Sequence, residues 1–137
     1  MMKTFFSIML LSIVLLTTAC SVEQEGATDK ISDVDFTVVE EIDIPQEVKT
    51  LIEERKANPF QLAFITGESS YIMVGYGEQA TGGYSITVDE CYLAEDGIHI
   101  VTNLLGPDKD AVVDSKLSYP YIVLKTEATD KDIIFEP

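Results

Sequence analysis

The sequence predicts an α+β fold that is mainly β: a small antiparallel sheet or partly open barrel with one N-terminal helix packed on it. Three observations carry this. Apolar residues recur at helical spacing once, at Val48, Leu51 and Ile52. From Phe60 onward, short apolar runs alternate with breaks rich in glycine, proline and aspartate. The N-terminal segments leave about 100 residues, which can bury roughly 65% of their unfolded surface and so build one core.

Taken in order, Asp35 to Ile42 sets Phe36, Val38, Val39 and Ile42 among polar residues and predicts a first strand. A helix follows from Pro45 to Lys56, with Asp43 as a candidate cap. Asn58-Pro59 ends it, because the residue before a proline avoids the helical region. Acidic residues crowd its start and Arg55 and Lys56 lie near its end, as the helix dipole favours. Phe60 to Ile65 and Ser70 to Tyr76 read as strands joined by the turn Thr66-Gly67-Glu68. In Tyr84 to Leu93 the apolar parity changes midway. Tyr84, Ile86 and Val88 share one face, whereas Cys91 and Leu93 fall on the other parity, which predicts a bulge near Asp89–Glu90. Glu95-Asp96-Gly97 is a hairpin signal, and Ile98, Ile100, Thr102 and Leu104 alternate along the return strand until Gly106-Pro107. Tyr121 to Lys125 is a further strand, and Ile133 to Phe135 pairs at an edge. That makes one helix and seven strands, with no internal repeat.

Residues 1–19 differ from all that follows. A charged start at Lys3, the uncharged stretch from Thr4 to Leu16 and the small residues Thr17, Thr18 and Ala19 make a secretory signal. The apolar stretch is too short to span a bilayer, which takes roughly 20 residues. Cys20 directly after Ala19 resembles the bacterial lipobox, although the leucine, Leu16, sits one position earlier than that pattern has it. Cys20 is therefore the expected lipid attachment point, and the chain is expected at the cell membrane, facing outside the cytoplasm. The plain alternative is a secretory signal with a chance cysteine. Residues 20–34 are polar and acidic and read as a tether, leaving 35–137 as one β-rich domain.

The chain carries 9 Lys and Arg against 24 Asp and Glu, a formal charge of −15; loss of the signal removes Lys3 and makes it −16. Such a surface repels phosphate backbones and anionic headgroups, so no nucleic-acid partner is expected and the membrane is met through the lipid alone. With Cys20 lipidated, Cys91 has no partner within the chain and reads as a small buried apolar residue.

No catalytic residues are predicted. The single histidine, His99, lies on the parity opposite Ile98 and Ile100, so it should point to solvent or a polar face, and nothing marks a nucleophile beside it. Cys91 has no basic neighbour in sequence to lower its pKa. Asp108, Asp110 and Asp114 lack the glycine turn and closing glutamate of a calcium loop and read as a solvated loop, so neither metal nor cofactor is expected. The most informative stretch is Gly75 to Tyr84, with Gly75, Gly77, Gly82 and Gly83 between two apolar strands and no phosphate-cradle ending. It reads either as a wide hairpin loop or as a recognition loop flanked by Tyr76 and Tyr84, with Gln79, Thr81, Gly82 and Gly83 in contact with a partner. Glu78, Gln79 and Thr81 are expected to face solvent. Tyrosine offers a large, rigid contact surface.

Gly77, Thr81-Gly82-Gly83-Tyr84-Ser85-Ile86, the hairpin at Gly97, Gly106-Pro107 and Tyr119-Pro120-Tyr121-Ile122-Val123 together resemble the C-terminal domain of the PrcB family of protease complex subunits. The likeness covers about residues 60–125. It implies a secreted or lipid-anchored accessory protein that assists a surface protease complex without being the protease, and it supplies no catalytic residue. The partner so implied is another extracytoplasmic protein, a protease among the candidates. The alternative is an envelope binding protein for a small ligand or peptide.

Overall fold

The computed structural model describes residues 29–137. The signal segment, Cys20 and the first part of the expected tether lie outside the described residues.

Eight strands and one helix follow in order: β1 (Ser32–Asp33), β2 (Thr37–Val38), a 3₁₀ turn at Glu41–Asp43, α1 (Gln46–Arg55), β3 (Pro59–Ile65), β4 (Ser69–Tyr76), β5 (Ser85–Ala94), β6 (Gly97–Leu105), β7 (Tyr121–Glu127) and β8 (Ile133–Glu136). Among the described residues the fold is mainly β with one helix, as expected, and there is no closed barrel. The strands divide into two four-stranded sheets, β1-β5-β6-β8 and β2-β7-β4-β3, where a single sheet was one of the two expected forms.

The division follows from side-chain parity. In β4 and β7, Ile72, Val74, Ile122 and Leu124 face one way and pack with Cys91, Ile98 and Ile100 of the other sheet. Met73 and Val123 face the opposite way and pack with Ile44, Val48 and Ile52. Both faces of the central strands are therefore apolar and covered, which one helix on one sheet could not achieve. The layers run helix, sheet, sheet, and each fully buried Ile or Val contributes about 1.5–3 kcal/mol.

The expected first strand is two short ones. Ile31 and Val34 donate backbone hydrogen bonds to Leu93 and Cys91 of β5, while Val39 donates to Val123 of β7. Residues 31–39 thus cross from one sheet to the other, and the segment read as the end of the tether is paired from Ile31 onward. Asp43 does not cap α1. It belongs to the 3₁₀ turn, Pro45 precedes the first helical residue, and no side-chain cap bond forms. The β5–β6 register shifts between Val88 and Glu90, leaving Asp89 as the extra residue. This bulge returns Cys91 and Leu93 to the face shared by Ile86 and Val88. At the hairpin, Gly97 takes φ +148°, where a Cβ would strike the Asp132 carbonyl. Finally, β8 pairs with β6 in parallel, because the chain leaving β7 crosses between sheets before it pairs.

Candidate functional site

Topology places two loops at the same end of the molecule. Residues 77–84 lead from β4 to β5, and residues 106–120 lead from β6 to β7. Gly75 pairs with Tyr121 and Ser85 with Leu105, so both loops start and finish beside each other, each crossing between the sheets.

The two loops are joined into one lobe. Gln79 and Ser118 exchange backbone hydrogen bonds of 2.8 and 3.0 Å, and Gly82 N donates to Asp114 O at 2.8 Å. Ser118 Oγ donates to Thr81 O at 2.6 Å, and Tyr119 Oη donates to Glu78 Oε2 at 3.3 Å. Gly83 has φ +87°, and a Cβ there would come within 2.7 Å of Val113 Cγ1 and 3.0 Å of Pro107 Cβ. Glycine is required at that position both for the backbone conformation and for the close approach of the second loop. Gly82 lacks the positive φ, and its nearest neighbour would be Asp114 Cβ at 3.5 Å. The ammonium of Lys56, at the end of α1, lies 5.4 Å from the Tyr119 ring centroid and ties the lobe to the helix.

The residues singled out in the sequence take different places. Tyr76 is half-buried, and its hydroxyl lies 2.7 Å from Thr102 Oγ1, linking the two sheets beneath the lobe. Gln79 is half-buried, and its Nε2 donates to Tyr76 O at 3.3 Å. Thr81, Gly82 and Tyr84 are half-buried and Gly83 is exposed. Of Glu78, Gln79 and Thr81, expected to face solvent, only Glu78 does so fully; the second loop covers the others. The exposed tip also carries residues that the sequence did not single out as contacts: Val112, fully open at 102% exposure, Leu117 at 54%, and Leu105 at the lobe's base. For Val112 the signal was the run Ala111-Val112-Val113, which is apolar without the alternation that would bury it.

A second constellation also escaped sequence reasoning. His99 does lie on the outer face of its sheet, as parity requires, yet it is only 4% exposed. Its Nδ1 lies 2.5 Å from Glu136 Oε1 and its Nε2 2.7 Å from Asp96 Oδ1, and its ring stacks on Tyr92 with centroids 4.8 Å apart. Ionised carboxylates only accept, so both ring nitrogens can donate only when the imidazole is doubly protonated. The bond to Asp96 raises the His99 pKa above 6.5; burial opposes the rise and Glu136 reinforces it. The arrangement favours the protonated ring and places no nucleophile against it. Glu136 lies 37 positions from His99, and no sequence pattern announces such a pair. Cys91 is buried, and burial followed by the negative charge of Asp33 pushes its thiol up to about 11, so it stays protonated at neutral pH. Among the described residues no group of three or more His, Cys, Asp or Glu is arranged to hold a metal ion.

Fold and site define a small helix-covered, two-sheet domain whose most elaborated surface is a pair of fused crossover loops. Residues 70–127 match the family model described as PrcB C-terminal, so this segment is similar to that family. The match runs from the second residue of β4 to the end of β7 and takes in both loops of the lobe. No curated protein and no solved structure matches the chain.

Proposed function

We propose that this protein is a non-catalytic accessory module, held to the outer face of a membrane by lipid on Cys20, that docks another envelope protein through the two-loop lobe. A protease complex is the setting the PrcB family suggests. The observation that carries the reading is the lobe: two loops locked by backbone hydrogen bonds hold Val112 and Leu117 out in water. Open apolar side chains on a braced support suit a protein contact, where rigidity lowers the ordering cost of association. The small-ligand reading would use the cleft of about 450 Å³ whose lining includes Gln61, Val74, Tyr76, Thr102 and Glu136. Three of its polar side chains are already engaged, Tyr76 with Thr102 and Glu136 with His99 outside the cleft, which favours the protein partner.

Two variants test the proposal. Cys20→Ser should move the protein out of the membrane fraction, and normal processing with continued membrane association would refute the anchor. Val112→Ser combined with Leu117→Ser should abolish partner capture from the envelope while leaving the fold intact. Unchanged capture would refute the lobe.

A further inference from the structure

β3 forms one edge of its sheet, and among the described residues it is the longest edge strand at 7 residues, against 2 in β1, 2 in β2 and 4 in β8. Edge strands are normally blunted by charge, bulges, brevity or a covering element. Pro-Phe-Gln-Leu-Ala-Phe-Ile carries no charge, and its register with β4 runs unbroken from Pro59↔Tyr76 to Ile65↔Ser70.

The hairpin bond fixes which backbone groups face outward. Thr66 N donates to Ser69 O, so the Thr66–Ser69 pair is hydrogen-bonded. Hydrogen-bonded pairs alternate along an antiparallel ladder, so Phe64, Leu62 and Phe60 bond to β4 while Ile65, Ala63 and Gln61 turn their N–H and C=O groups away. Tyr76 N agrees with this phase: it turns from its partner Pro59 and donates to Pro120 O. Among the described residues none of these three N–H or three C=O groups meets a hydrogen-bond partner, and Gln61 and Ile65 are exposed. The cleft beside Pro59 and Gln61 opens the space between the sheets along the same edge.

The geometry points to β3 as a site that takes an extended, non-acidic segment of a partner polypeptide as an added strand. The free donors and acceptors recur at the spacing of a strand, which only another extended backbone matches. The added strand's inward-facing side chains would enter the cleft, so small or apolar residues belong at alternate positions. A second copy of this chain would bring its own formal charge of −15, whereas neutral or basic segments meet only the acids bordering the edge, Glu68 and Glu136. The inference shares with the proposed function only the premise that the partner is a polypeptide, and its surface is not the lobe tip.

The probe is a capped peptide of about eight residues alternating valine and lysine, long enough to form one strand. Residue-resolved amide exchange is measured on the full chain with and without it. The expected result is a slowing of at least roughly tenfold at Gln61, Ala63 and Ile65, with Phe60, Leu62 and Phe64 already slow and unchanged. Ala63→Pro removes one outward N–H and no ladder bond, so it should abolish the effect with the fold retained. Should that variant misfold, Gln61→Pro asks the same question. The Val112→Ser, Leu117→Ser protein should bind the peptide normally, which separates failure of the edge from failure of the lobe. Unchanged exchange at the three amides would overturn the proposal. So would protection that rises with protein concentration alone, which would mean a second copy, or equal binding of a peptide alternating valine and glutamate.

Discussion

His99 shows how one side chain's surroundings decide its chemistry. Asp96 and Glu136 favour its protonated form and Tyr92 covers its ring, so in that form it acts as a cationic clasp between the β5–β6 hairpin and β8. Its pKa is raised on folding, which sets the sign of the linkage. The stabilisation is fully present below the unfolded value near 6.5 and is lost as pH rises through the higher folded value. The urea midpoint should therefore fall with rising pH above that range in the parent protein, and His99→Gln should flatten this part of the profile. An unchanged profile in the variant would show that His99 is not the titrating group. Residue parity was legible in the sequence, since Ile98 and Ile100 face the core and His99 does not. Its burial was not, because Glu136 comes from 37 positions away through the parallel pairing of β8.

At the level of elements, the bulge at Asp89, the hairpin at Gly97 and the single helix were all readable, because each leaves a local trace in apolar parity or turn residues. The second sheet was harder to read. A run such as Tyr71-Ile72-Met73-Val74 is apolar on both faces, and periodicity alone does not say that a helix lies over one face and strands over the other. The fusion of the two loops was also hidden, since Gln79–Ser118 and Gly82–Asp114 join positions with no shared local pattern. That fusion makes a sharp prediction about adjacent glycines. Gly83→Ala must adopt a positive φ and displace Val113, at a cost of about 1–2 kcal/mol or more, whereas Gly82→Ala, which would meet Asp114 only at ordinary contact distance and needs no positive φ, should cost clearly less. Thermal unfolding of the two variants checks this, and equal losses would mean that the second loop yields to the new methyl group.

The proposed molecule combines a lipid anchor with a two-sheet domain and a lobe braced at one end of that domain. The anchor is read from Ala19-Cys20. Among the described residues no helix is long and apolar enough to cross a membrane. The lobe's role as a docking surface is the central claim, and the Val112→Ser, Leu117→Ser protein tests it most directly. Both side chains are exposed, so the change in stability should stay within about 0.5 kcal/mol for each, read as an unchanged melting temperature. Crosslinking in living cells, followed by mass spectrometry, should give a reproducible envelope partner with the parent protein and lose it with the variant. The same partner recovered at the same yield from a normally folded variant would contradict the claim.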